Sequence, residues 1–202
     1  MCDPGNVREV VDTGPDFIGF IFYPGSKRYI GDFPDKLLLQ QVPPGIQRTG
    51  VFVNENIEKV LKVASQFMLE VIQLHGNETV EYCSFVRSSG YKVIKTFGVD
   101  RDFDFKGLDA YQEACDYFLF DNKADMHGGT GVKFNWDKLA DYHFNKPFIL
   151  SGGIGPEDVK ILKAIRHKAF FAVDINSRFE TITGFKNSAI VNSFIKELKT
   201  IK

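Results

Sequence analysis

Short runs of apolar residues recur along the whole chain, and within each run apolar and polar positions hardly alternate. A continuous apolar run of this length is typical of a strand that is buried on both faces, as in a parallel sheet. The pattern predicts seven strands, at Phe17–Phe22, Gly50–Val53, Leu69–Leu74, Lys92–Phe97, Tyr117–Phe120, Pro147–Leu150 and Phe170–Val173.

The segments between these runs carry apolar residues at helical spacing. One of them opens with Gly155–Asp158, which places a proline and two acids in the first turn, where they favour a helix start. The predicted helices are Asn6–Val11, Pro34–Gln41, Ile57–Phe67, Thr79–Ser88, Trp136–Tyr142, Pro156–Ile165 and Ser188–Leu198. Strands that alternate with helices indicate parallel βαβ units.

The number of strands decides between two α/β architectures. A doubly wound open sheet is compatible with seven strands, but its first turn would carry a GxGxxG motif, and the chain has none. A (β/α)8 TIM barrel needs eight strands, and the first predicted helix begins almost at Met1. We therefore predict one (β/α)8-barrel domain over residues 1–202, with the first strand absent or truncated in this chain.

Composition excludes several classes of function. The net charge of −1 includes no basic block, so neither nucleic acid nor a membrane surface is expected as a partner. The apolar runs are too short to span a bilayer, and residues 1–16 lack the apolar centre of a secretory signal. Cys2, Cys83 and Cys115 lie far apart without a CxxC motif, which favours a reduced, cytoplasmic protein. Without an HxH, HExxH or Cys/His cluster, no metal site is expected.

Polar residues follow the predicted strands, and barrel enzymes carry out their chemistry at the C-terminal ends of their strands. Asp121 directly follows the apolar run Phe118–Phe120 and precedes a glycine-rich loop with Gly128, Gly129 and Gly131. Burial at a strand end would raise the pKa of Asp121 and allow it to act as a general acid. A helix cap or a loop salt bridge is the structural alternative.

Ser151–Gly155 runs from a predicted strand directly into a helix start, an arrangement that favours phosphate binding. A tight turn that needs glycine only for its dihedral angles is the alternative. Arg28 offers a bidentate grip for a carboxylate, or it is a solvated surface residue. His75 and Asp174 are candidates for acid–base or binding roles, and structural hydrogen bonding is the alternative for each.

Seven short motifs follow one another in the order of the predicted strands. They are Lys27–Tyr29, Val51–Asn54, Gln73–Gly76, Asp121 before Gly128–Gly131, Phe134–Trp136, Leu150–Gly153 and Ala172–Asp174. Each motif alone is modest, but their order covers nearly the whole chain. In this respect the chain resembles the phosphoribosylanthranilate isomerases of tryptophan biosynthesis.

The resemblance implies an Amadori rearrangement of N-(5-phosphoribosyl)anthranilate to 1-(2-carboxyphenylamino)-1-deoxyribulose 5-phosphate, without a cofactor. It implies that Asp121 is the catalytic acid and that Arg28 faces the anthranilate carboxylate. The predicted substrate-binding residues are Arg28, His75, Gly152, Gly153, Asp174, Asn176 and Ser177. We expect a cytoplasmic monomer or homodimer whose partner is this small phosphorylated substrate.

Two features depart from the family pattern. The family's catalytic cysteine would fall before Met1, in the first strand, and Cys2 is not its equivalent, so a start about five to eight residues upstream is expected. Arg178 stands where the family has glycine in a phosphate-binding turn. The alternatives are a catalytically impaired phosphosugar-binding barrel that lacks its general base and, more weakly, a histidine-pathway isomerase. An indole-glycerol-phosphate synthase would need a longer N-terminus.

Overall fold

The computed structural model describes residues 1–31, 34, 36–123 and 133–200. The strands are β1 (Phe17–Ile21), β2 (Gln47–Phe52), β3 (Val71–Leu74), β4 (Lys92–Val99), β5 (Tyr117–Asn122), β6 (Phe148–Leu150), β7 (Phe170–Val173), β8 (Glu180–Ile182) and β9 (Phe185–Lys186). The α-helices are α1 (Pro4–Val11), α2 (Lys36–Gln40), α3 (Ile57–Gln66), α4 (Val80–Ser88), α5 (Val159–Ala164) and α6 (Ser188–Lys199). Turns of 3₁₀ helix lie at Phe105–Tyr111, Trp136–Asp141, Pro156–Asp158 and Ser177–Phe179.

Strands β1 to β7 form one parallel sheet in which each strand pairs with the next along the chain. This confirms the seven predicted strands and their order. The sheet is curled, which brings strands that are not neighbours close together. The ring of Phe17 in β1 lies 6.4 Å from that of Tyr117 in β5 and 6.5 Å from that of Phe171 in β7. Within the described residues β1 and β7 have no strand partner on their outer edges, although the Met1 amino group donates to the Gly19 carbonyl at 3.4 Å.

Two apolar layers sit on the two faces of the curled sheet. The inner face carries a small cluster, Val71, Ile94, Leu119 and Ile149. The outer face packs against the helices through a phenylalanine-rich core that includes Phe118 and Phe120, both fully buried. Because side chains alternate along a strand, the inward position of Leu119 also turns Asp121 inward, at the C-terminal end of β5.

The structure differs from the predicted elements in short segments. The predicted helix at 136–142 is a 3₁₀ helix, Trp136–Asp141, and the 3₁₀ helix Phe105–Tyr111 was not predicted. In that second helix Phe105 and Leu108 are buried at a spacing of three residues, which matches the three residues per turn of 3₁₀ geometry. The antiparallel β8–β9 hairpin was also missed, because two strands of three and two residues leave no periodic signal.

Two of the three cysteines are close together in the fold although they are far apart in the sequence. Cys83 in α4 and Cys115 just before β5 are both buried, and their thiols hydrogen-bond to each other. That hydrogen bond, together with burial, raises the pKa of Cys115. Cys2 is exposed, and its thiol donates to the Arg28 carbonyl at 3.5 Å. The fold therefore pairs two cysteines that the sequence analysis treated as separate.

Candidate active site

The C-terminal ends of β3, β5, β6 and β7 bring several predicted site residues together. His75 follows β3, and its Nε2 lies 3.7 Å from Oδ2 of Asp121 at the end of β5. Ser151 follows β6 and donates through its hydroxyl to Oδ2 of Asp174, which follows β7, at 3.1 Å. The parallel order of the strands creates this arrangement, because every strand ends at the same edge of the curled sheet. Gly128, Gly129 and Gly131, in the predicted loop after Asp121, lie outside the described residues.

Asp121 is a carboxyl group suited to carry a proton near neutral pH. Its side chain is 26% exposed, and Oδ1 accepts a hydrogen bond from the backbone N–H of Asn122 at 2.7 Å. Burial, reinforced by the nearby negative charge of Asp174, raises the pKa of Asp121 to about 6, against the opposing effect of the Asn122 hydrogen bond. A carboxylic acid with this pKa can donate a proton and be reprotonated at physiological pH.

The backbone of Gly152 packs directly against this acid. Gly152 and Gly153 adopt left-handed conformations, with φ of 86° and 65°. A Cβ atom at position 152 would lie 2.6 Å from Oδ1 of Asp121 and 2.8 Å from the backbone nitrogen of Asn122. Position 152 therefore needs glycine for two independent reasons, its dihedral angle and the close approach of the catalytic candidate.

In the segment after the two glycines, backbone and side-chain groups already form hydrogen bonds and ion pairs within the protein. The N–H of Gly155 donates to Oδ2 of Asp158 at 2.7 Å, so it is engaged within its own turn. Arg178 extends from the loop after β7 over Gly155, and its Nη2 lies 2.6 Å from Oε1 of Glu157. Lys133 adds a second cation, 2.5 Å from Oδ1 of Asp158. A side-chain cluster thus borders the glycine turn, and Arg178 belongs to it.

The loop after β7 carries three of the predicted residues. Burial raises the pKa of Asp174, while the Ser151 hydrogen bond and the charge of Lys186 act in the opposite direction. The side-chain oxygen of Asn176 accepts from Lys186 Nζ at 2.5 Å. Ser177 begins a short 3₁₀ turn. The loop is therefore tied to β9 through Lys186, a residue that the sequence analysis did not select.

Arg28 forms an internal ion pair. Its Nε and Nη2 donate to the two carboxylate oxygens of Glu180 at 2.8 and 2.6 Å, with the side chains 12% and 5% exposed. Lys186 Nζ also lies 2.6 Å from Glu180. Burial alone would raise the pKa of Glu180, but the hydrogen bonds and charges of Arg28 and Lys186 lower it to about 2. Arg28 is thus held in a fixed orientation by the β8–β9 hairpin, which the sequence analysis missed.

A second ion pair at this end of the barrel also escaped the sequence analysis. Lys95 in β4 and Glu78 after β3 are buried and lie 3.2 Å apart. The signal was present, because a lysine between the apolar residues of a buried strand is rare unless it is paired.

Within the described ranges no group of three or more His, Cys, Asp or Glu side chains could hold a metal ion. Nor does any helix there have the length and apolar character to cross a membrane.

Comparisons with known proteins show what this chain is similar to. The family model for N-(5'-phosphoribosyl)anthranilate (PRA) isomerase matches residues 3–197. The N-(5'-phosphoribosyl)anthranilate isomerase of Phocaeicola vulgatus is 41% identical over 199 residues, which cover 98% of this chain and 95% of that protein.

Two solved structures illustrate the similarity in fold, and each covers 100% of this chain and 96% of its own. One is a phosphoribosyl anthranilate isomerase in complex with reduced 1-(o-carboxyphenylamino)-1-deoxyribulose 5-phosphate, with a TM-score of 0.84 and 34% identity. The other shows monomers generated from the dimeric enzyme of Thermotoga maritima, with a TM-score of 0.82 and 33% identity.

Proposed function

The chain belongs to the N-(5'-phosphoribosyl)anthranilate isomerase family, and we propose that Asp121 is the general acid of this family's reaction here. The protein is an isomerase of the aldose–ketose type in tryptophan biosynthesis. Its substrate, N-(5-phosphoribosyl)anthranilate, becomes 1-(2-carboxyphenylamino)-1-deoxyribulose 5-phosphate. The observation that carries the role of Asp121 is a partly buried strand-end carboxyl whose pKa is raised to about 6.

The proposed chemistry begins at the ribose ring. Asp121 donates its proton to the ring oxygen as the bond from that oxygen to C1 breaks, and the nitrogen lone pair forms the C1=N bond of a Schiff base. A base then removes the proton from C2, and the electron pair moves through C1 to nitrogen. The resulting enaminol becomes the ketose. An acid is needed in the first step because an unprotonated ring oxygen is a poor leaving group.

We assign the anthranilate carboxylate to Arg28. The bidentate contact with Glu180 supports this assignment, because it fixes the plane of the guanidinium before substrate arrives. Lys186 forms a second ion pair with Glu180. The negative charge of Glu180 therefore remains neutralised when Arg28 also binds a substrate carboxylate. A planar guanidinium suits a planar carboxylate better than the ammonium group of a lysine does.

We assign the phosphate to the turn with Gly152 and Gly153 and to the loop Asp174–Ser177. The left-handed backbone at both glycines supports this, since it lets main-chain N–H groups approach an anion without side-chain hindrance. Arg178 lies over the neighbouring Gly155, where it forms an ion pair with Glu157 at the border of this turn. His75, which lies beside Asp121, completes the proposed substrate-binding set.

We also propose how the protein occurs in the cell. Three free cysteines, two of them buried, support a reduced, cytoplasmic setting. The dimeric relative from Thermotoga maritima supports a homodimer, and a monomer is the alternative. Size-exclusion chromatography with light scattering distinguishes these two states.

Replacement of Asp121 by Asn tests the proposed function. The amide retains the shape of the carboxyl but has no proton to donate to the ring oxygen. We expect kcat to fall by about 10² to 10⁴, the usual contribution of a general acid. The assay follows the loss of the substrate's anthranilate fluorescence, and circular dichroism verifies the fold. If the variant retains most of its activity, Asp121 is not the acid. If the unaltered chain binds the product analogue without turning over substrate, it is a phosphosugar-binding barrel.

A further inference from the structure

A buried ion pair joins strand β4 to the loops after β2 and β3 near the mouth of the barrel. Lys95 Nζ and Glu78 Oε2 lie 3.2 Å apart, with side chains 3% and 2% exposed. Removing two charges from water costs several kcal/mol for each ion, and close pairing with additional hydrogen bonds must offset that cost. Such a pair at the functional end of a barrel calls for a role beyond filling space.

The hydrogen bonds of the pair converge on the residue next to His75. Lys95 Nζ donates to the carbonyl of Gly76 at 2.7 Å, and also to those of Leu74 and Thr96 at 3.3 and 2.9 Å. The Glu78 carboxylate accepts from the N–H of Gly76 at 3.0 Å. Gly76 is thus held at both its N–H and its carbonyl, one by each member of the pair.

The same carboxylate reaches the loop after β2. Glu78 Oε1 accepts from the N–H of Asn54 at 2.8 Å, and Asn54 Oδ1 accepts from the N–H of Asn77 at 2.6 Å. A Cβ atom at position 76 would collide with Asn54. The backbone of the loop after β3 therefore packs directly against Asn54 in the loop after β2. The N–H of His75 itself donates to the Phe52 carbonyl at 2.8 Å. The backbone around His75 therefore has little freedom.

We propose that Lys95 and Glu78 are positioning residues that hold the His75 imidazole against Asp121. His75 Nε2 lies 3.7 Å from Asp121 Oδ2, which is too long for a hydrogen bond but within ion-pair distance when the imidazole is protonated. None of these hydrogen bonds of the pair involves Asp121. The pair acts through the backbone of residues 75 and 76. This inference rests on the proposed role of Asp121.

A double-mutant cycle tests the proposal. The neutral pair Glu78→Gln with Lys95→Met is introduced into the unaltered chain and into a His75→Ala background. We expect kcat to fall about tenfold in the unaltered chain while KM changes less than twofold, since small misplacements of catalytic groups reduce rate. In the His75→Ala background the same replacements should change kcat less than twofold, because residues that act as a unit are not additive.

Two results would overturn the proposal. One is an equal loss of kcat with and without His75, which would mean that the pair acts by another route. The other is an unchanged kcat in the first comparison. If the double replacement does not fold, Glu78→Asp alone is used in the same cycle, because aspartate keeps the charge that compensates Lys95 and shortens only the side chain. The same criteria apply to it.

A matched control comes from the opposite ends of the neighbouring strands. Arg48 and Glu70 form an ion pair of 2.6 Å there, and Arg48→Met with Glu70→Gln should leave kcat and KM unchanged. The inference and the proposed function fail in different ways. Activity that survives Asp121→Asn contradicts the general acid, whereas additivity in the cycle contradicts only the positioning role.

Discussion

At the N-terminal ends of β2 and β3, Arg48 and Glu70 lie 2.6 Å apart with side chains 20% and 41% exposed. At the C-terminal end of the sheet, Lys95 and Glu78 lie 3.2 Å apart with side chains 3% and 2% exposed. The two pairs have similar chemistry and different solvation. An exposed pair contributes little to stability, whereas a buried pair leaves an uncompensated charge if either partner is lost.

The interior of the barrel shows the same contrast. Near the N-terminal ends of the strands the rings of Phe17, Tyr117 and Phe171 pack together, with Tyr117 and Phe171 stacked at 4.9 Å. At the other end the inward positions carry Asp121 and Asp174, and burial raises the pKa of both. The comparison teaches that desolvated charge, not charge alone, distinguishes the functional end of this fold from the end that stabilises it.

Substitutions at Gly152 and Gly14 give the largest expected difference between the C-terminal and the N-terminal ends of the barrel. Both have left-handed dihedrals, with φ of 86° and 74°, but a Cβ at position 14 meets no atom within 4 Å, whereas one at 152 meets Asp121. Gly152→Ala should lower kcat/KM about 100-fold, because it displaces the acid by a fraction of an ångström to an ångström. Steady-state kinetics measures this effect.

Gly14→Ala is its control, since it carries the same backbone strain at the N-terminal end. It should cost about 1 kcal/mol of unfolding free energy and leave kcat/KM unchanged. Equal kinetic losses in the two variants would show that backbone strain, and not the contact with Asp121, determines activity.

Arg28 and Arg48 allow a second comparison, because each grips a glutamate in bidentate fashion. Arg28→Met should raise KM about 10- to 100-fold, the effect of one or two lost charge-assisted hydrogen bonds to the substrate carboxylate. Arg48→Met should leave KM unchanged. A KM that is unaffected by Arg28→Met would remove this arginine from the substrate site.

The pH dependence of stability sharpens the comparison at Asp121. Its folded-state pKa of about 6 exceeds the ordinary value of 3.8, so the folded protein binds this proton more tightly than the unfolded chain does. Stability therefore falls as the pH rises from about 4 to 6, and Asp121→Asn abolishes that loss. The variant should be more stable by about 1–3 kcal/mol at pH 7. Urea unfolding at pH 4 and pH 7 measures the difference.

The advantage of the Asn variant should disappear at pH 4, where the unaltered carboxyl is protonated in the folded state. An advantage of the same size at both pH values would mean that the pKa of Asp121 is not raised.

Arg178 carries the smallest expected effect. Arg178→Gly restores the residue type that the resemblance expects at this position, but it removes the cation over Gly155. Because the Arg178 side chain is 42% exposed, we expect KM to rise only about two- to fivefold, as for a solvent-screened charge. High salt should reduce the difference between variant and unaltered chain. A lower KM in the glycine variant would show that Arg178 hinders phosphate binding.

The apolar pattern predicted most of the fold. All seven strands of the parallel sheet were located, and β7 was predicted with its observed bounds, Phe170–Val173. The pattern succeeds because a strand buried on both faces must be apolar throughout. It failed at Phe105–Tyr111, whose buried positions follow the three-residue spacing of a 3₁₀ helix, and at the β8–β9 hairpin, whose strands are too short for a periodic signal.

The sequence by itself placed the end of each strand to within about two residues, and therefore indicated that Asp121, His75 and Asp174 share one end of the barrel. Local pattern suffices for this, because strand direction and side-chain alternation follow from consecutive residues. Only the tertiary structure decided the partners: Glu180 for Arg28, Glu78 for Lys95, and Cys115 for Cys83. These contacts join residues that are 152, 17 and 32 positions apart. They arise from the curl of the sheet and the packing of its loops, which no local pattern encodes.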